Sequence, residues 1–310
     1  MSFGGFYGRT SEAESLDALA RALELGVTFW DTANVYGEGL SETIIGKFFT
    51  QDRARRTKVT LATKFGISRT PEGARTFDNS PRHMRESLEG SLKRLSVDHI
   101  DLYYVHRYDK RIPVEETVGE LALHVKSGKI GAIGLSEIAP DTLRRAAATH
   151  PIAAVQSEYS LWTRTPELGL IQACEEVGAL MVAFSPLGRG YFSGLLQGVE
   201  TFGEMDFRRL NPRFVGLDWR RNRDRLKPYL ALAAKWNMAP STLAIAWTLA
   251  KSPCVVPIPG TRTSAHLAEC AAADLDLSAA QLTELERILP AGFAAGERYA
   301  DAQWVGIQKY

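Results

Sequence analysis

SPRHMRESLEGSLKRLSVDHIDLYYVH, residues 80–106, reads as one complete helix-then-strand unit. Ser80 is an N-cap with Pro81 at the first helical position, and Met84, Leu88, Leu92 and Leu95 recur at the spacing of a buried helical stripe. The run Ile100-Asp101-Leu102-Tyr103-Tyr104-Val105 then turns to β-branched and aromatic residues and ends at His106. The same unit recurs on both sides. Upstream, Ser11-Glu12-Ala13-Glu14 resembles a capping box, Leu16, Leu19, Ala20 and Leu23 share a face, and Gly26 is a stop before the strand-like run Val27–Asp31. Ile44, Ile45 and Phe48 mark the next helix, and after a basic turn ending at Thr57 comes the strand Lys58–Gly66. Downstream, Val114–Val125 leads to Ile133–Ser136, Leu143–Ala148 to Ala154–Ser157, Leu168–Val177 to Leu180–Ser185, and Leu243–Leu249 to Cys254–Ile258.

That makes seven strands, each linked through a helix, with no break in composition. Strict alternation predicts an α/β protein with a parallel sheet, and a count near eight predicts a (β/α)8 TIM barrel formed by residues 1–310 as a single domain. A doubly wound sheet would want a Gly-x-Gly-x-x-Gly turn after an early strand, and the sequence has none there. Residues 194–227 interrupt the pattern with Phe202, Phe207, Phe214 and Trp219 among arginines. A stretch too long for an ordinary connection is expected to roof a site.

Lys and Arg number 37 against 36 Asp and Glu, spread along the chain, so there is no electrostatic footprint for nucleic acid or an anionic membrane. A small-molecule ligand is the expected partner. Cys174, Cys254 and Cys270 lack any CxxC or Cys/His ligand spacing and read as reduced, structural residues, with no metal expected. The amino terminus shows no signal-peptide pattern and no apolar run approaches spanning length, which predicts a cytoplasmic protein.

In a barrel, the carboxyl ends of different strands converge on one mouth. Alternation along Val27, Phe29 and Asp31 reads as a buried strand ending in a carboxylate, with Tyr36 five residues later. A buried acid is costly unless a cation answers it, and Lys64, on the face of its strand shared with Thr60 and Ala62, is the candidate. His106 ends the third of these strands. A free phenol starts near pKa ~10, so acting as an acid at neutral pH asks for about 4 kcal/mol. One ammonium about 4 Å away supplies roughly that at an effective dielectric of about 20. Asp31 would hold Lys64, and His106 would orient a substrate carbonyl or relay its proton. Alone, each has an ordinary reading: a turn-capping Asp, an amphipathic core Tyr, a solvated Lys, a surface His beside Arg107. It is their joint placement on successive strand ends that points to acid–base chemistry.

Gly26-x-Thr28-x-x-Asp31-Thr32-Ala33-x-x-Tyr36-Gly37, Ala62-Thr63-Lys64 and Asp101-Leu102-Tyr103-Tyr104-Val105-His106 resemble the motifs of the aldo-keto reductases, and the resemblance runs over nearly the whole chain. It implies that Asp31, Tyr36, Lys64 and His106 form a catalytic tetrad, with Tyr36 protonating a carbonyl as hydride arrives from a reduced nicotinamide. It also implies that Ser136 and Gln156 hold the carboxamide and that Phe184 stacks on the ring. Ser185, Pro186, Leu187, Gly188, Arg189 and Gly190 fall in the pyrophosphate segment, where glycines let backbone N–H groups approach. Gly260, Thr261 and Arg262, followed by His266, Glu269 and Cys270, resemble the adenosine site. A helix N-terminus with Thr261 and Arg262 suits a 2′-phosphate, so the implied cofactor is NADP(H) rather than NAD.

The chain departs from the pattern at Glu137 and Cys270, where asparagine is common, and at Phe184, where a phenol is usual. Ser160-Leu161-Trp162, Asp206-Phe207-Arg208-Arg209 and Arg298-Tyr299 resemble the branch that holds bacterial and plant general reductases and the potassium-channel β subunits. Relatives usually have an N-terminal hairpin and first strand before the segment matching Gly4-Phe6-Tyr7-Gly8, so the first strand is expected to be clipped, leaving strand edges that invite association. The expected activity is NADPH-dependent reduction of an aldehyde or ketone. The alternative is an NADP(H)-binding sensor or regulatory subunit, though such subunits tend to replace the histidine with an amide; a Schiff-base aldolase on Lys64 would leave Tyr36 unexplained. Trp162, the loop aromatics and Tyr299–Trp304 are expected to line an apolar substrate pocket.

Overall fold

The computed structural model describes residues 3, 8, 10–70, 72–196, 198–204, 206–261 and 263–310. The first two strands are β1 (Phe29–Asp31) and β2 (Thr60–Phe65), followed by two short ones, β3 (Ile67–Arg69) and β4 (Arg75–Phe77). Five more complete the set: β5 (Ile100–Val105), β6 (Ile130–Ser136), β7 (Ile152–Glu158), β8 (Leu180–Phe184) and β9 (Val255–Ile258). The sheet runs β1-β2-β5-β6-β7-β8-β9, every pairing parallel, while β3 and β4 form a separate antiparallel hairpin.

Helices fill the crossovers: α1 (Glu12–Glu24), α2 (Leu40–Gln51), α3 (Pro81–Leu95), α4 (Val114–Lys126), α5 (Pro140–Thr149), α6 (Leu170–Val177), α7 (Gly216–Lys235), α8 (Pro240–Leu249), α9 (Ser264–Ala271) and α10 (Ala279–Ile288). Their starts follow from the sequence. Ser11 and Glu14 make the reciprocal capping box of α1, and Ser80 caps α3 ahead of Pro81. The sheet curls into a nearly closed barrel of seven strands. On the outside, α1 packs against both α2 and α9, bridging the two sheet edges. Of the segment on which the clipped-strand expectation rests, Gly4, Phe6 and Tyr7 lie outside the described residues.

The period of two along each strand divides the core into two layers. Ala62, Leu102, Tyr104, Ala154 and Val182, with Phe29, Ala132 and Ile258 against them, fill the barrel interior. Trp30, Leu61, Phe65, Tyr103, Val105, Leu135, Val155 and Met181 point the other way into the large apolar layer under the helices. Continuing the inward set toward the carboxyl ends brings Asp31, Lys64, Ser136, Gln156 and Phe184 to one mouth.

Two expectations are corrected. The long interruption is irregular only in its first part: residues 216–235 form α7, whose arginine-rich composition and internal Pro228 hid its helical character. The β3–β4 hairpin, which forms one wall of the mouth, was not anticipated.

Gly134 is fixed by space rather than by backbone angle. A Cβ there would lie 2.3 Å from Cδ1 of the Tyr104 ring, which crosses it from the neighbouring strand. Gly134→Ala is expected to lower unfolding stability by about 1–3 kcal/mol through overpacking, read as a lower urea midpoint. An unchanged midpoint would mean that the ring moves aside freely.

Candidate active site

Asp31 ends β1, Lys64 stands one residue before the end of β2, and His106 follows β5 directly. The register sets Asp31 opposite Ala62, and Lys64 opposite Tyr104, so the lysine points into the barrel with no exposed surface. Its Nζ pairs with Asp31 Oδ1 and donates to the Thr32 carbonyl at 2.7 Å. The other carboxylate oxygen of Asp31 accepts from Gln156 Nε2 at 2.8 Å, across the barrel from β7. Tyr36 sits on the turn between β1 and α2, its ring centroid 5.2 Å from Lys64 Nζ. The His106 ring meets the Tyr36 ring edge-on, with centroids 5.7 Å apart and planes at 82°.

The His106 backbone N–H donates to the Phe65 carbonyl at 2.7 Å, which extends the sheet register one residue past β5. Burial holds the imidazole well below its usual pKa, and the charges of Arg107, Lys64 and Arg75 push in the same direction. The ring is therefore neutral at neutral pH, with one N–H to donate. Its Nδ1 meets no hydrogen-bond partner among the described residues.

These groups open into a cavity of about 1050 Å³ lined by Asp31, Tyr36 and His106 but not by Lys64, which stands behind them. Phe202 and Phe207 of the long loop and Tyr299 and Gln303 of the tail cover it. Among the described residues no group of three or more His, Cys, Asp or Glu could hold a metal ion.

The profile described as the aldo/keto reductase family matches residues 1–290. A Schizosaccharomyces pombe protein named aldo-keto reductase yakc, with NADP(+) in its name, is 40% identical over 304 residues, covering 96% of this chain and 89% of its own. A Glycine max protein named probable aldo-keto reductase 1 is 41% identical over 299 residues, covering 96% of this chain and 85% of its own. The chain belongs to the aldo/keto reductase family. Among solved structures, the glycerol dehydrogenase of Gluconobacter oxydans superposes with a TM-score of 0.84 at 27% identity, over 93% of this chain and 89% of that one.

Of the residues that the resemblance assigns to cofactor in this aldo/keto reductase, Ser136, Gln156, Phe184, Ser185, Pro186, Leu187, Arg189 and Gly190 line the same cavity. So do Gly260, Thr261, His266, Glu269 and Cys270. Arg262 lies outside the described residues. Gly188 does not line the cavity; it turns with φ +56 against the Trp162 indole, 2.9 Å from where a Cβ would stand. The donor set fits a nicotinamide carboxamide. With Gln156 Nε2 committed to Asp31, its Oε1 is left to accept from an amide NH2, and the Ser136 hydroxyl is beside it to donate. Cys270 is buried, its thiol pushed up to about 12 by desolvation, and it packs with Ile245 and Ala273, so it offers bulk where an asparagine would offer hydrogen bonds. Glu269 accepts from the Ser241 hydroxyl.

Glu137 has a reason of its own. At φ +56 just past β6 its carboxylate turns away from the cavity, pairs with both Nη atoms of Arg298 and accepts from the Glu158 N–H at 2.9 Å. Arg298 reaches on to Glu158, which also pairs with Arg189 at 2.7 Å. Sequence reasoning missed this buried cluster, and it misplaced Trp162. That indole is stacked on Tyr191 with centroids 4.1 Å apart and belongs to the core together with Phe214 and Trp219, while Trp304 lines a separate small cavity.

Two outcomes are expected. Below pH 6.5 the unfolded chain protonates His106 while the folded chain does not, so stability falls with decreasing pH; His106→Gln should flatten the slope of unfolding free energy between pH 7 and 5. Arg298→Met leaves Glu137 buried without its cation and should cost about 3–5 kcal/mol by chemical denaturation, with part of the loss recovered when Glu137→Gln is added.

Proposed function

We propose that this chain reduces an aldehyde or ketone to an alcohol with NADPH, Tyr36 giving the proton. The observation that carries the reading is the Lys64 ammonium, held by Asp31 and the Thr32 carbonyl, facing the Tyr36 ring at 5.2 Å on the wall of the cavity. A fixed positive charge beside the phenol stabilises the phenolate that forms as the proton leaves, and burial strengthens that effect. Neutral His106 donates to the carbonyl oxygen and fixes its direction. When bound, the reduced nicotinamide supplies the hydride. Ser136 and Gln156 would hold its amide and Phe184 would pack against its ring, since all three line the cavity with Tyr36 and His106.

NADP(H) rather than NAD is supported by the name of the fission-yeast relative and by Thr261, which lines the cavity at the approach to α9. Lys64 is ill placed as a Schiff-base nucleophile, because it has no exposed surface and already donates to two acceptors. The same reading takes residues 1–310 as one catalytic unit acting in the cytoplasm. The cysteines Cys174, Cys254 and Cys270 are all free thiols, and no helix among the described residues is long and apolar enough to cross a membrane.

Oxidation of NADPH and of NADH, followed over a panel of aldehydes and ketones, tests the proposal. Turnover with NADPH is expected, and Tyr36→Phe should lose about 10²–10⁴-fold in kcat. Unchanged turnover in that variant would remove Tyr36 as the acid.

A further inference from the structure

The arginines around the cavity divide into two groups. Those near the long loop and tail are matched by acids: Arg189 by Glu158 at 2.7 Å, Arg208 by Asp206 at 2.6 Å, and Arg298 by Glu137 and Glu158. Arg69, Arg75 and Arg107 line the side of the hairpin and His106, and among the described residues none has an ion-pair partner; Arg69 donates to the Gly73 carbonyl, while Arg75 and Arg107 act on His106. Arg75 stands on β4, its guanidinium 5.3 Å from the Phe77 ring. Arg107 is buried. Its Nη1 donates to the His106 carbonyl at 2.7 Å and to Ser136 Oγ at 3.4 Å, and its Nε finds no acceptor among the described residues.

Arg75 is exposed, yet partial desolvation of its guanidinium lowers its pKa, and the charge of Arg107 adds to that. The two guanidinium groups repel each other and oppose a proton on His106, and the one buried carboxylate that acts on Arg107, Glu137, is already paired with Arg298. The acids on the cavity wall do not serve. Asp31 is held by Lys64, Glu269 accepts from Ser241 at the other end, and Glu38 is exposed at the rim. The buried Arg107 guanidinium, with an unused Nε donor, is costly until an acceptor arrives, an anion satisfies it best, and Arg75, exposed on the hairpin, adds its charge.

Resting on the reductase reading, we propose that the physiological carbonyl compound carries an anionic group, a carboxylate or a phosphate monoester, bound by Arg75 and Arg107 while its carbonyl lies at Tyr36 and His106. Such a substrate relieves the repulsion as it binds. A neutral substrate leaves it in place, and a cationic one adds to it.

The test compares kcat/KM with NADPH for 4-carboxybenzaldehyde, 4-formylphenyl phosphate and the uncharged methyl 4-formylbenzoate. At least one anion should exceed the ester by about 10-fold or more, mainly through KM, as charge-assisted hydrogen bonds allow. Which anion wins tells carboxylate from phosphate. Arg75→Met, on an exposed hairpin, should abolish the preference by lowering the anion-to-ester ratio about 10-fold. An ester as good as both anions, or a preference that survives both Arg75→Met and Arg107→Met, overturns the proposal. If no carbonyl is reduced by any nicotinamide, the reductase reading fails by itself, and calorimetry with 4-(hydroxymethyl)benzoate and benzyl phosphate decides the anion site: binding to the wild type that is lost in Arg75→Met supports it, and no binding to the wild type overturns it.

Discussion

The ion pair between Lys64 and Asp31 at the barrel mouth ties the fold and the site to one condition. Removing two charges from water costs several kcal/mol each, and their attraction repays this only when further hydrogen bonds complete both shells. The Thr32 carbonyl and the Gln156 amide provide those bonds. The four residues come from β1, its following turn, β2 and β7, so the pair forms only when three strands are in register. A slip of β2 by one residue would turn Lys64 out into the apolar layer and bring Thr63 inward. Thr63 is itself committed on the outer face, where it donates to buried Glu42 at 2.6 Å, and Glu42 pairs in turn with Arg94. Polar groups on both faces of one strand therefore reject the same error.

A second set of buried charges does for the rim what the first does for the centre. Glu137 and Glu158 lie at the ends of adjacent strands, and their partners Arg189 and Arg298 come from the loop after β8 and from the tail. The Arg189 and Arg298 charges outweigh the desolvation of Glu158 and hold it at about 2, so the cluster stays ionised across the physiological range. Tyr299 is carried along, with the Arg189 guanidinium 4.5 Å from its ring. Loop and tail are thus fastened over the cavity by carboxylates of the barrel itself. Glu137, where the resemblance leads one to expect asparagine, anchors the tail in this chain through Arg298.

What could be read from the sequence was what short-range chemistry encodes. The caps at Ser11 and Ser80, the helical stripes and the β-branched runs are local, so α1, α3 and the seven sheet strands are legible without tertiary context. Asp31, Tyr36, Lys64 and His106 are legible because strand ends in a barrel converge and each of the four is unusual for its run. The β3–β4 hairpin was not legible, since each strand has three residues and Arg69 and Arg75 give no apolar alternation. Arg75 was hidden with it. Gln156 carried a cofactor assignment that says nothing of its bond to Asp31, because that bond depends on the curvature that brings β7 across from β1. Trp162 reads as a pocket residue in sequence, and only the stack with Tyr191 shows it in the core.

The division of labour at the centre follows from charge. Three cationic groups, Arg107, Lys64 and Arg75, act on His106 in addition to its burial, and all oppose a second proton on the ring. An imidazole so placed is a poor acid at neutral pH and a good neutral donor. On the proposed reaction the same Lys64 charge faces the phenolate that forms as Tyr36 gives its proton, an anion that it stabilises. Burial and these three charges together keep His106 neutral, and the Lys64 charge is itself held in place by Asp31 without exposed surface. On the proposed reaction, the acid and the orienting donor differ because the same field acts on a group that is cationic when protonated and on one that is neutral.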